Sequence, residues 1–363
     1  MERLDEVPAL ARQAEDAGIT ALWTSEASHD PFLPLVLAAE HTRRLELGTS
    51  IAVAFPRSPM VTAYLAWDLA ALSEGRFLLG LGTQVRAHNE RRFSVPWGPP
   101  VPRLREYVLA LRAIWTAWQE GTPLRFEGQH YRHTLMTPFF DPGPLPHPHI
   151  PVQLAAVNPA LCRLAGEVAD GLHVHPFHTV SYIREVILPA LREGARRAGR
   201  DPAEVPLVTS AFVVTGETPA AVAAARDAVR GELAFYASTR AYRPVLTLHG
   251  WEEVGQHLGR LAAAGRWAEM GRLLTDEMLE AFVVVGSYDE LPGRLRARRP
   301  LIPSVPRERR RSRRPHRLRR PRQVARRPAR PRRPTSSSRA PIAAPRTTSR
   351  AAAGPAAPCR PSC

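Results

Sequence analysis

LELGTSIAVAFPRSPMVTAYLAWDLAALSEGRFLLGLGTQVRAHNERRF, residues Leu45–Phe93, decides the fold of this 363-residue chain. Two apolar runs, Leu45–Phe55 and Arg76–Gly82, read as strands, and the stretch Met60–Leu72 between them has the length and composition of a helix. A strand, a helix and a second strand in that order predict a parallel pair, because the helix carries the chain back to the starting end of the sheet. Ser58-Pro59 marks where that helix begins: serine caps the first turn, and proline suits a position whose N–H has no helical partner.

The same rhythm extends in both directions. Ile19–Trp23, Pro151–Ala156, Gly171–Val174, Val205–Val214 and Phe282–Val285 are further strand candidates. Leu4–Ala17, closed by Gly18, together with Arg103–Trp118, Ala160–Val168, Tyr182–Ala198 and Tyr288–Ala297 reads as helix. The alternation predicts one α/β barrel of the (β/α)8 kind, which a chain of this length can hold as a single domain over residues 1–297. Asp30-Pro31 and Asn158-Pro159 repeat the cap-and-proline signal just after strand candidates, so they mark turns at the face where such barrels build their sites. Asp201-Pro202 and Thr218-Pro219 carry the same signal elsewhere, so it finds helices rather than catalysis. Residues from about 121 to 150, rich in proline and aromatics, break the rhythm and are expected to form a lid or line a pocket.

Net charge divides sharply along the chain. Residues 301–363 hold 19 arginines and one acid, Glu308, for +18, whereas the first 300 carry 31 basic and 33 acidic groups, for −2. The basicity therefore belongs to the segment 298–363, where Arg and Pro dominate, apolar periodicity is lacking, and disorder is expected. Nonspecific binding of nucleic acid or another polyanion would rest on that tail alone, and no aromatic residue is interleaved there to stack bases. Cys162 is the only cysteine outside the tail, which argues against a disulfide framework, and no run approaches the roughly 20 apolar residues of a membrane span. With Met1 leading straight into charged residues, the expectation is a cytoplasmic protein with no membrane association.

Four stretches, GITALWTSEASHDPF (Gly18–Phe32), Leu45–Phe93, IPVQLAAVNPALCRLAGEVADGLHVHPF (Ile150–Phe177) and YRPVLTLHGW (Tyr242–Trp251), give the chain its resemblance to a known family. It resembles the luciferase-like monooxygenase superfamily, in particular the branch of oxidoreductases that use coenzyme F420. The resemblance implies a bacterial luciferase-like TIM barrel that binds F420, or alternatively FMN, at its C-terminal mouth. It also implies a small-molecule substrate and a homodimer.

Site residues follow from that resemblance position by position. Glu26 matches an acidic residue beside the reactive part of the cofactor, and His29, three residues on, is a second candidate for acid or base help. Ser50 and Ile51 match the place where the family has a non-proline cis peptide behind the ring. Thr83 and Gln84 match a cofactor-contacting pair, while Gly80 and Gly82 would let backbone approach a planar ring. Ala156, Val157 and Asn158 form a strand-to-helix turn whose N–H groups suit an anion, although Val157 stands where relatives commonly carry glycine. Taken without the resemblance, Glu26 reads equally as a solvated carboxylate, and Asn158 as a helix cap alone. His173, His175 and His178 have the spacing of imidazole metal ligands, yet no carboxylate stands near them, so no metal is assigned and pocket lining is expected.

The chain opens directly on a helix, and recognisable pattern stops near residue 297, so the barrel is expected to lack its first and last strands. A reading-frame change would produce such a tail. The functional expectation is hydride transfer between F420 and a small organic substrate, with FMN-dependent monooxygenation as the alternative. An inactive truncated barrel and a polyanion binder are the readings from other classes.

Overall fold

The computed structural model describes residues 3–298. The arginine-rich segment beyond Arg298, with its expected disorder and polyanion binding, lies outside the described residues.

Helix α1 (Val7–Asp16) leads to strand β1 (Ala21–Thr24), and α2 (Leu33–His41) to β2 (Glu46–Thr49) and β3 (Ala52–Val53). Helix α3 (Pro59–Leu72) leads to β4 (Phe77–Gly82), followed by α4 (Arg86–Arg91), α5 (Pro100–Glu120) and a hairpin of β5 (Phe126–Glu127) and β6 (Arg132–His133). Next come β7 (Val152–Ala156), α6 (Pro159–Val168), β8 (Gly171–Val174), α7 (Val180–Tyr182) and α8 (Leu188–Arg197). Strands β9 (Leu207–Thr209) and β10 (Phe212–Val214) precede a helical run of α9 (Pro219–Ser238), α10 (Arg243–Leu248), α11 (Glu252–Ala263), α12 (Trp267–Met270) and α13 (Asp276–Phe282). Strand β11 (Val283–Val285) and α14 (Leu291–Arg298) complete the described chain.

Six strands lie side by side in the order β1-β2-β4-β7-β8-β9, every pair parallel. This is the expected α/β barrel in open form: among the described residues, β1 and β9 are the outermost strands of the sheet. All six residues of β4 are buried, as a central strand covered on both faces requires. Thr49 ties β2 to β4 where side chains leave no room: its hydroxyl donates to the Gly80 carbonyl at 2.7 Å and accepts from the Gly80 N–H at 2.9 Å. A Cβ at Gly80 would fall on the Thr49 carbonyl oxygen, so only glycine permits this approach. The caps behave as read from sequence at Ser58, which accepts from Val61 N, and at Asn158, which accepts from Leu161 N. Gly18 closes α1 with φ 76°.

Three expectations change. The run Val205–Val214 splits, because its first half pairs with β8 and its second half leaves the sheet to pair with β11. Tyr182–Ala198 is not one α-helix: residues Ile183–Ile187 form a π turn ahead of Pro189. Proline has no N–H for the carbonyl one turn back and crowds it, and a widened turn relieves both. The last helix begins at Leu291, its entry set by a reciprocal pair in which Ser287 Oγ accepts from Glu290 N and Glu290 Oε2 accepts from Ser287 N. The segment 121–150 is anchored at two places. The hairpin reaches the N-terminal end of α5, where Glu106 accepts from the N–H groups of Gln129 and His130. Beyond it the chain descends over α3, with Tyr64 donating to Phe140 O and Trp67 to Gly143 O, until His147 packs on Gly75 before β4.

Candidate active site

The parallel sheet gathers the ends of β1, β2, β4, β7 and β8 on one side, and the residues singled out from sequence follow those ends. Glu26, two residues past β1, donates its N–H to Ile51 O at 3.1 Å. Its carboxylate Oε2 accepts from Val53 N and from Arg57 Nη1, both at 2.7 Å. The pair is shielded, with side chains 7% and 17% exposed, and Arg57 turns its other nitrogen to Asp30 at 3.0 Å. Glu26 thus clamps the loop between β2 and β4. Between Ser50 and Ile51 the peptide bond is cis, as the resemblance implied.

His29 lies apart from the Glu26 clamp. It is exposed and lines a hollow of about 370 Å³ on the outer side of β1 with Arg3, Leu4, Asp5, Ser28 and Leu33, a hollow whose walls do not include Glu26. The cause is local: Asp30 Oδ1 accepts from Phe32 N and Leu33 N to start α2, which turns residues 27–30 outward.

At the end of β4, Gln84 adopts φ 56° and its side-chain oxygen accepts from Val85 N. Thr83 is nearly buried. Its carbonyl accepts from Asn89 Nδ2 at 2.9 Å, and Asn89 is fully buried, leaving Oδ1 without a partner. Asn89 was not singled out from sequence, since an asparagine inside a short polar helix carries no signal until the fold buries it.

Beneath the mouth, Trp23 lies across Gly48, Ile51 folds onto Gly82, and His173 meets Trp23 edge to face with ring centroids 4.6 Å apart. His173 Nδ1 stands 3.5 Å from Ser50 Oγ, while Nε2 is buried without a partner. Burial pushes this imidazole down to about 4, so it is neutral near pH 7. Buried polar atoms are normally satisfied. Asn89 Oδ1 and His173 Nε2 are two buried polar atoms without a partner, and a Cβ at Gly80 would lie 3.3 Å from His173 Nε2. Gln153 Oε1, a third, lies lower on β7.

The turn Ala156–Asn158 fits an anion less well. Val157 is buried and its carbonyl accepts from Tyr182 Oη at 3.0 Å. Pro159 has no N–H, and Leu161 N is taken by the Asn158 cap, which leaves few donors free in the first turn of α6. The three histidines diverge: His173 faces Ser50, His175 faces Tyr242, and His178 Nδ1 meets His175 O at 2.8 Å. Among the described residues, no group of three His, Cys, Asp or Glu side chains has metal-binding geometry. Nor is any described helix long and apolar enough to cross a membrane.

Comparison with known proteins matches residues 1–303 to the luciferase-like monooxygenase family. An uncharacterised protein of Mycobacterium tuberculosis is 54% identical over 294 residues, 81% of this chain and 85% of that one. The F420-dependent glucose-6-phosphate dehydrogenase 1 of Rhodococcus jostii is 35% identical over 191 residues, covering 50% and 54% of the two chains. Among solved structures, the coenzyme F420-dependent tetrahydromethanopterin reductase of Methanopyrus kandleri superposes with a TM-score of 0.67 at 23% identity, over 83% of this chain and 88% of that one.

Proposed function

The chain belongs to the luciferase-like monooxygenase family, and from that premise we propose that it is an F420-dependent oxidoreductase acting on a small organic substrate. The observation that carries the reading is the gathering of Glu26, Ser50, Ile51, Thr83 and Gln84 just beyond the ends of the parallel strands β1, β2 and β4. Sequence relatives named as F420-dependent favour that cofactor over FMN.

When bound, F420 would supply a two-electron hydride acceptor or donor. The chain's own residues would hold it: Ser50 and Ile51 behind the ring, Thr83 and Gln84 along its polar edge with Asn89 holding Thr83 from behind, and Ala156, Val157 and Asn158 toward its tail, with few N–H donors free for an anion. Glu26 would act by fixing the Ser50–Val53 loop through Val53 N rather than as a mobile acid. Neutral His173, hemmed by Trp23, would accept or donate one hydrogen bond at Nε2 without adding charge beneath the ring. The catalytic unit would be residues 1–297, with the 126–133 hairpin held against α5 by Glu106.

The test is titration of the full-length protein with F420 and with FMN, read by fluorescence. Saturable F420 binding that weakens in Asn89→Ala is expected. Tighter binding of FMN, with oxygen consumed when reduced FMN is supplied, would overturn the assignment in favour of monooxygenation.

A further inference from the structure

His175 follows β8 at the same end of the sheet as Ala156, to whose carbonyl it donates its backbone N–H at 3.2 Å. Its ring is held at both nitrogens. Nδ1 accepts from the Phe177 backbone N–H at 3.1 Å, and Nε2 lies 2.9 Å from Tyr242 Oη, with the two rings stacked at 4.3 Å. A backbone N–H can only donate, so Nδ1 must be the acceptor, and the neutral ring carries its hydrogen on Nε2. Nε2–H therefore donates to Tyr242 Oη, and the phenol oxygen is the acceptor in this bond. That leaves the Tyr242 hydroxyl hydrogen directed elsewhere, with no acceptor among the described residues. Burial keeps both groups neutral at pH 7, pushing His175 down to about 4 and Tyr242 up to about 12.

Around the half-buried phenol stand Phe177 and Tyr236, with ring centroids at 5.9 and 6.0 Å. A neutral O–H donor in an aromatic wall at the mouth of the sheet suits a neutral oxygen on an apolar carbon frame; an anionic group would favour a cation instead. We propose that Tyr242 is a substrate-binding residue that donates a hydrogen bond to the hydroxyl or carbonyl oxygen of a small apolar alcohol or ketone, and that His175 is the positioning residue that fixes its direction. The assignment rests on the F420-dependent reading above. His175 orients but does not relay protons, since delivering Nε2–H would leave an imidazolate already occupied at Nδ1.

The full-length protein is tested in two ways. With ring-¹⁵N histidine, His175, assigned by its loss in His175→Gln, should show the hydrogen on Nε2; a hydrogen on Nδ1 overturns the geometry whatever the cofactor. With F420 and cyclohexanol, or reduced F420 and cyclohexanone, Tyr242→Phe should bind F420 as the parent does but lose about 10²-fold in kcat. His175→Leu should lose much of the same factor, the double variant Tyr242→Phe/His175→Leu no more than Tyr242→Phe, and His175→Gln should recover activity, because one amide can accept from Phe177 N and donate to Tyr242. Turnover unchanged in Tyr242→Phe, or F420 binding without reaction of either probe, overturns the proposal. Failure of the parent to bind F420 overturns the functional reading instead, and with it the substrate assignment, while the ring-¹⁵N result stands separately.

Discussion

Glu26 shows how one carboxylate changes meaning when its neighbours are known. From sequence it was a candidate acid beside a cofactor; in the fold, Val53 N and Arg57 claim Oε2. Glu26→Gln should cost about 1.5–3 kcal/mol in urea unfolding, the range for a hydrogen bond to a charged group, and not more, because Arg57 keeps Asp30 and Val53 O. A loss below about 0.5 kcal/mol would show that the clamp contributes little. The three buried histidines make a second test. Burial pushes His173, His175 and His178 from 6.5 down to about 4. Above pH 6.5 neither folded nor unfolded chain protonates them. As pH falls, the unfolded chain binds protons first, so stability drops between about 6.5 and 4 by about 1.4 kcal/mol per pH unit for each histidine that stays neutral. A urea midpoint that stays flat from pH 7 to 4.5 would contradict their burial. Sequence reading singled out Ser50, Ile51 and Thr83 through the family resemblance, and it did not single out Arg57, Asn89 or Tyr242. Arg57 and Tyr242 acquire their partners from distant segments, and Asn89 bonds the nearby Thr83 and Val85 carbonyls only once the fold buries it, which no local pattern encodes.

At the scale of elements, glycines set one helix contact that periodicity does not reveal. Helices α6 and α8 meet where a Cβ at Gly166 would fall on the Leu191 carbonyl and one at Gly194 on the Arg163 carbonyl. In sequence each glycine reads only as a helix weakened by about 1 kcal/mol relative to alanine. Packing reverses that preference: Gly194→Ala should destabilise by about 1–3 kcal/mol, since two backbones must separate, while alanine at the unencumbered Gly231 of α9 should stabilise by up to about 1 kcal/mol. Thermal unfolding of the two variants decides, and stabilisation by both would refute the close contact. The strand–helix alternation was legible because buried parallel strands read as continuous apolar runs. The split between β9 and β10 was not, since a strand that changes partners keeps the same composition throughout.

For the whole molecule, the order β1-β2-β4-β7-β8-β9 was anticipated in kind, as a barrel with strands unaccounted for at both ends, and the described residues show that open arrangement. Amide exchange should follow it: β1 and β9 should exchange by local opening, and β4 and β7 only with global unfolding. Equal protection of outer and central strands would mean that something further covers the outer edges. A closed ring has no first strand to lose, whereas a strip unzips from its ends. Loss of order should therefore travel inward from both flanks and arrive last at β4. Thr83 stands just past the end of that strand, held there by Asn89, so this part of the mouth is the part that keeps its shape longest.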